Sequence, residues 1–306
     1  MVDVSIILVN YNTKELTSAC IDSILMHTHG CSYEILLVDN ASTDGSRERF
    51  ENDRRVRYFY QTENLGFGKA NNIGFKEAKG RYLICLNTDT LLVEDSISKM
   101  YSLMEKNGIE VLGVKLINKE GSMMHSYGTF TPSVWWELYY GCYPFGILVN
   151  MYYKIKLLLN KVVSVGYITG ADLMISKEVI DKCGMFDPDF FMYFEEAEMQ
   201  RRFKAKGYKS YYFPGTQIIH LEGKSNMFKE RREKMYLTSR DTYYRKTHQR
   251  LSYPIADFIY QSSLRFKKCF YSALHNKEKE MAFSQKLQLF MQLKNSNYCD
   301  EDNSTN

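Results

Sequence analysis

Several features that would mark a specialised chain are missing. The seven cysteines stand singly, at positions 20, 31, 85, 142, 183, 269 and 299, with no CxxC pair. Thiols in an odd, scattered set indicate neither a disulfide framework nor a zinc site. There is no internal repeat and no low-complexity tract. Excess charge of one sign is also lacking: 40 Lys and Arg against 36 Asp and Glu leave a net charge of +4, too mild for a nucleic-acid binder. No uninterrupted apolar run reaches membrane-spanning length. CYPFGILVNMYYKIKLLL at 142–159 comes nearest, but Pro144, Asn150, Lys154 and Lys156 break it. The opening residues VDVSIILVNYN enter a strand pattern directly, without a secretory leader. The expectation is a cytoplasmic protein whose only membrane contact is peripheral, at the inner face.

What is present is a globular composition: 306 residues, 44% hydrophobic and 25% charged, enough for one large domain or two small ones. Aromatics are plentiful, with 24 Tyr and 18 Phe. Positive charge is concentrated locally. Residues 224–268 carry twelve Lys and Arg against four Asp and Glu. A basic stretch rich in Tyr and Phe suits an anionic membrane surface or a phosphate-bearing substrate, and a solvated helix face accounts for it equally well.

Over the first 120 or so residues, short apolar runs alternate with amphipathic stretches. Strands are expected at 4–9, 34–38, 56–60, 82–86 and 111–116, and helices at 15–26, 69–78 and 97–104. Cys20 and Cys85 lie in apolar runs and are expected in the core. Strands without polar alternation, separated by helices, indicate an α/β fold with a parallel sheet covered on both faces. The aromatic segment 121–165 reads as irregular. Extended structure returns at 171–176, a loop enters a helix within 186–208, and a strand follows at 209–213. Beyond about residue 226 the chain reads as helical and basic, and its last dozen residues as disordered.

In sheets of this kind ligands bind outside the carboxyl ends of the strands. Three polar clusters fall there: Asn10-Tyr11-Asn12, Asp39-Asn40 and Asn87-Thr88-Asp89. With parallel strands all three gather along one edge. Asn87 and Asp89, two apart on a turn, can hold a hard divalent ion together with substrate phosphates, although Asn-Thr-Asp is also an ordinary turn. His220, after a later apolar run, would complete an N,O ligand set and tilt the choice towards Mn²⁺ over Mg²⁺. By itself it is a commonplace histidine at a strand end.

VDNASTDGS holds Asp39 and Asp44 in a strong turn composition. Either both only fold the turn, or Asp39 accepts the imide N–H of a pyrimidine with Asp44 and nearby backbone framing the nucleotide. The loop past Val9, with Asn10 and Asn12, is also placed to hold the base. NLGFGKANNIG at 64–74 is not a dinucleotide fingerprint, because Asn71 replaces the third glycine and no strand directly precedes it. Gly66 and Gly68 nonetheless offer backbone amides at a helix start to a phosphate, and Lys69 adds charge. Glu195, Glu196 and Glu198 crowd the start of another helix, where acids are favoured by the macrodipole and can pair with Arg201 or Arg202. Phe190, Phe191, Tyr193 and Phe194 precede them, and an aromatic wall raises a carboxyl pKa and suits a general base.

These motifs, in this order, resemble family 2 glycosyltransferases of the GT-A fold, especially the bacterial rhamnosyltransferase-like branch. VSIILVNYN, EILLVDNASTDGS, NLGFGKANNIG, YLICLNTDT, the long GADLMISK…FKAKGY segment and IIH carry the likeness across roughly residues 3–248. The resemblance implies a Rossmann-like, mostly parallel nucleotide-sugar-binding sheet flanked by helices, with a helical C-terminal extension from 249 and an acceptor-side insert at 121–165. It implies that Asp39 contacts uracil or thymine. It places Asn87-Thr88-Asp89 at the DXD position, with Asp89 binding a diphosphate through Mg²⁺ or Mn²⁺ and His220 as a further ligand. It makes Glu196 the catalytic base. Two departures stand out: Asn87 replaces the first acid, and Glu196 replaces the usual Asp, which opens the role to Glu195 or Glu198.

The implied reaction is an inverting single displacement. It moves a sugar from a dTDP- or UDP-linked donor to a glycan or lipid-linked acceptor of a bacterial surface polysaccharide, with an anionic membrane as a further partner. The alternative is a degenerate nucleotide-sugar- or glycan-binding protein. A nucleotidyltransferase would need a Gly-rich, basic loop after the first strand, where NYNTKELT supplies only Lys14.

Overall fold

The computed structural model describes residues 2–159, 162–221, 229–247 and 252–302. Parts of the basic stretch and the last four residues fall outside these limits. The chain divides into two compact units, one formed by Met1–Thr131 with Lys154–Asn226 and the other by Pro132–Tyr153 with Met227–Asn306.

The first unit opens with β1 (Val4–Asn10), α1 (Lys14–His27), β2 (Tyr33–Asp39), α2 (Ser46–Phe50), β3 (Arg57–Tyr60), α3 (Phe67–Glu77), β4 (Tyr82–Asn87), β5 (Thr90–Leu92), α4 (Ser96–Asn107), β6 (Val111–Ile117) and β7 (Tyr127–Gly128). After α5 (Val134–Gly141) and α6 (Tyr143–Leu158) come β8 (Val163–Val165), β9 (Tyr167–Ile168), β10 (Asp172–Ser176), α7 (Lys177–Cys183), α8 (Glu195–Ala205) and β11 (Ser210–His220).

The main sheet runs β3-β2-β1-β4-β10-β6-β11-β5, with β8 also on β11. β3, β2, β1 and β4 are parallel, as are β6 and β11, while β10 and β5 run against their neighbours. The middles of the central strands are unalternated apolar runs because helices cover both faces; Ile6, Ile7, Leu8, Leu36, Leu37, Ile84 and Cys85 are fully buried. The expected doubly covered, mostly parallel α/β sheet is what forms. Its register brings Asn10 opposite Asp39, and Val9 opposite Asn87. The three polar clusters therefore end on one sheet edge.

The aromatic middle differs from its expectation: 134–141 and 143–158 are helical. The Ser133 hydroxyl caps α5 by accepting the Trp136 amide at 3.4 Å. Pro144 falls in the first turn of α6, where proline costs no hydrogen bond, so it starts this helix instead of breaking it. The two late apolar runs are one strand, β11, whose register shifts between Phe213 and Gln217, around Pro214-Gly215. Among the described residues no helix is long and apolar enough to cross a membrane.

In the second unit α5 is joined by α9 (Lys229–Lys246), α10 (Tyr253–Ala273) and α11 (Lys277–Asp302). α9 belongs to this unit although it precedes residue 248. α11 continues to Asp302, well into the polar tail read as disordered. An ion cluster lies at the unit's centre. Arg240, 1% exposed, donates to Glu137 at 2.5 and 2.8 Å and to Asp257 at 2.6 Å, and Lys294 meets the other Asp257 oxygen at 2.5 Å. The rings of Tyr244 and Tyr260 flank the guanidinium at 4.9 and 4.8 Å. Removing one member of a buried pair strands the other charge. Arg240→Met should therefore lower the unfolding free energy of this unit by about 3–5 kcal/mol in urea titrations, and Glu137→Leu added to it should restore part of the loss.

Candidate functional site

The strand-end loops are laced to one another. The Asn10 amide donates to the Ser42 hydroxyl at 2.9 Å, and its oxygen accepts from Thr13 and Thr17. Asn12, in a left-handed conformation (φ 54°), accepts the Thr43 amide at 2.7 Å. Asp44 accepts the Lys14 amide at 2.8 Å with one oxygen and the Ser46 amide and hydroxyl with the other, so it caps α1 and α2 together. Burial alone would raise its pKa, but these donors hold it below the usual carboxylate range. Asp39 is fully buried, with Oδ1 accepting the Ser42 amide at 2.9 Å and Oδ2 the Tyr58 hydroxyl at 2.6 Å. Each oxygen keeps a second lone pair for an incoming donor. Asn40 reaches the next loop, donating to Asn64 and to the Gly66 carbonyl and accepting the Leu65 amide.

The loop before α3 has a different partner from the phosphate expected of it. The Gly66 amide is taken by Asn64 and the Phe67 amide by the Phe191 carbonyl, both at 2.9 Å. Gly66 has φ 79°, and a Cβ on it would stand 2.2 Å from the Phe191 oxygen. A Cβ on Gly68 would touch Phe186 and Glu195. Asn72 pairs in both directions with the Phe186 backbone, at 2.8 and 3.0 Å. The NLGFGKANN run is therefore the seat of the 186–195 loop, and Lys69 is exposed beside it.

That loop ends in two aromatic residues with positive φ, Tyr193 (73°) and Phe194 (68°), immediately before α8. Consecutive left-handed bulky residues are rare and need surrounding structure to hold them. They set Glu195 and Glu196 at the first positions of α8. Glu195 is 3% exposed, and the Oε2 atoms of both glutamates are buried without a protein hydrogen-bond partner. Burial raises both carboxyls, Glu196 to about 7; for Glu195 the Glu196 charge adds to the rise, while the Gly170 amide draws Glu196 down. Two such neighbours titrate as a pair. Gly170 precedes Ala171, whose carbonyl accepts the Asn87 amide at 3.1 Å, so Glu196 lies beside the β4 strand end. Glu198 is committed elsewhere: Arg202 grips both its oxygens at 2.8 and 3.0 Å and clamps the Cys183 and Met185 carbonyls.

At the β4 end Thr88 meets the Thr13 hydroxyl at 3.1 Å. The chain then turns into β5, which pairs antiparallel with the last residues of β11, His220 opposite Thr90. This brings His220 Nε2 to 3.1 Å from Asp89 Oδ1 and 3.5 Å from Asn87 Nδ2. His220 is nearly buried, whereas the Asp89 side chain is one-quarter exposed. Among the described residues no group of three or more His, Cys, Asp or Glu could enclose a metal ion. An aspartate oxygen converging with an imidazole nitrogen at a half-open rim nevertheless fits Mg²⁺ or Mn²⁺ shared with ligand phosphates, since such ions take few protein ligands.

The sequence alone missed Tyr58, Thr13 and Ser42, which complete the loop lacing, and the left-handed turn at 193–194. Asn64 and Asn72 stand within NLGFGKANNIG, and their amides were the available signal for a docking role.

Comparison with known proteins extends these observations. The family model described as glycosyl transferase family 2 matches residues 5–184. An uncharacterized protein y4gI of Sinorhizobium fredii is 24% identical over 272 residues, covering 87% of this chain and 29% of its own. The low-salt glycan biosynthesis hexosyltransferase Agl10 of Haloferax volcanii is 26% identical over 200 residues, 64% of this chain and 60% of its own. The O-antigen biosynthesis protein RfbC of Myxococcus xanthus is 26% identical over 232 residues, 72% and 17% respectively. The chain spans less than a third of the length of two of these relatives, y4gI and RfbC. Among solved structures, GalNAc-T7 with UDP, GalNAc and Mn²⁺ superposes with a TM-score of 0.60 at 16% identity, covering 80% of this chain and 48% of that one. That likeness shows the fold, the GT-A arrangement.

The close approach at Gly66 is testable against a neutral glycine. Gly66→Ala combines a positive φ with a backbone collision and should lower the melting temperature severely or prevent folding. Gly121→Ala, at φ 78° with nothing within 4 Å of its Cβ position, should cost only about 1 kcal/mol. Equal losses in the two variants would show that the seat is not under steric constraint.

Proposed function

Because the chain belongs to glycosyl transferase family 2, we propose that it is an inverting glycosyltransferase. It moves a sugar from a pyrimidine nucleotide-sugar, dTDP-rhamnose or a UDP-hexose, to a hydroxyl of a glycan or lipid-linked glycan. Surface-polysaccharide synthesis at the cytoplasmic face of the membrane is the setting proposed for it. The observation that carries the reading is the convergence of Glu196, with its raised carboxyl, on the strand edge that bears Asp89 and His220.

In this reading Asp39 receives the imide N–H of the base, with the loops of Asn10, Asn12, Asn40 and Asp44 fixing its carboxylate. Asp89 and His220, with Asn87 beside them, would hold Mg²⁺ or Mn²⁺; when bound, the ion supplies charge neutralisation to the diphosphate leaving group. Glu196 takes the proton of the acceptor hydroxyl, and the oxygen forms its bond to the anomeric carbon from the face opposite the diphosphate. The carbon–oxygen bond to the diphosphate breaks, the anomeric configuration inverts, and Glu196 returns its proton to solvent. Glu195 shares the titration of the pair, and Glu198 is occupied by Arg202. A second reading, a catalytically silent nucleotide-sugar-binding protein, is favoured by Asn87 standing where an acid is usual and Glu196 standing where Asp is usual; it requires nucleotide binding without transfer.

A general base is typically worth about 10²–10⁴-fold. Glu196→Gln should therefore lower turnover of a competent donor by roughly that factor while leaving donor affinity nearly unchanged. Near-normal turnover in this variant would remove Glu196 from the role. Only the ionised base accepts a proton, so wild-type kcat/KM should rise as pH climbs through about 7 and level off above it. A profile flat from pH 5 to 8 would contradict the assignment.

A further inference from the structure

α6, within the apolar run at 142–159, exposes an apolar face. Ile147, Leu148, Met151, Tyr152, Ile155 and Leu158 are all exposed, with Leu148 at 63% and Leu158 at 82%. At 3.6 residues per turn these six fall on one stripe of roughly 140°. Lys154 and Lys156 stand at its two borders, and the helix contains no acidic residue. α10 repeats the pattern. Ile255, Phe258, Phe266 and Phe270 are exposed along one side, and Arg265 borders them. The single acid of α10, Asp257, is tied to Arg240 and Lys294. Trp135, on α5, is 61% exposed, with its ring 6.2 Å from that of Phe145 at the start of α6.

Contiguous apolar stripes of this size are unusual on a free surface. Their lysine and arginine borders set the choice of occupant. An anionic lipid surface satisfies both the stripe and its rim, whereas a second copy would bring the same positive borders together. α6 is about 24 Å long, shorter than the hydrocarbon core, and so fits lying in the interface. We propose that α6 is an interfacial helix that seats the protein on an anionic bilayer, with Trp135 at headgroup depth. This does not depend on the transferase reading.

The test is flotation of the full chain with vesicles of phosphatidylcholine containing about a third phosphatidylglycerol, beside pure phosphatidylcholine vesicles, together with quenching of Trp135 fluorescence in Trp136→Phe by brominated lipid. Binding to the anionic vesicles, weakened at high salt, and quenching of Trp135 are expected. Leu148→Asp with Ile155→Asp should lower partitioning roughly tenfold or more per residue, and Lys154→Glu with Lys156→Glu at least fivefold per lysine. All four positions are exposed, so circular dichroism should be unchanged; the unsubstituted α6 in Trp136→Phe gives an independent reading by quenching. Failure of the wild type to float would overturn the proposal, as would flotation that both double variants retain. A dimer in the ultracentrifuge that Leu148→Asp with Ile155→Asp abolishes would instead assign the face to a second copy.

Discussion

The position of Gly66 that a Cβ would fill is blocked by the carbonyl oxygen of Phe191. That approach, 2.2 Å from where the Cβ would lie, lets the 186–195 loop settle on the start of α3. The loop can then pass through two left-handed aromatic residues and deliver a pair of glutamates to the first turn of α8. Burial raises the cost of charging them, and the amides at the helix start and at Gly170 partly offset it. The result is a carboxyl poised near neutrality, where a proton acceptor is most useful.

The second half of the site depends on sheet register. Parallel pairing sets Asn10 opposite Asp39 and Asn87 opposite Val9, within one residue of the same strand end, and the antiparallel return of β5 against β11 adds His220 from more than a hundred residues away. Hydrogen bonds donated by the Asn10 and Asn40 amides and accepted by the Asn12 and Asp44 side chains then tie the loops to one another. Such lacing rigidifies a polar rim that would otherwise be mobile, and preorganised dipoles stabilise developing charge more than mobile ones do.

Much of this was legible in the sequence. Unalternated apolar runs separated by helical spacing indicated a covered parallel sheet, and polar residues just past strand ends indicated its functional edge. The Asp89–His220 contact follows from that rule and from the family's motifs together. What the sequence obscured has physical causes. Glycines at 66 and 68 look alike whether they face a phosphate or another stretch of backbone, because both uses need only the missing Cβ. Tyr193 and Phe194 carry no preference for positive φ, so tertiary contacts alone impose the turn. α6 was hidden by Pro144 and by its aromatic content, which read as irregular until the proline proved to stand in a first turn.

The central claim is that the Asp89–His220 edge receives a nucleoside diphosphate. Calorimetric titration with UDP and with dTDP, each with Mn²⁺ and with EDTA, on the wild type and on Asp89→Ala, tests it most directly. One nucleotide should bind in the presence of metal, and that binding should be lost with EDTA and lost in the variant. Binding that ignores both the metal and the substitution, or no binding of either nucleotide, would contradict the claim.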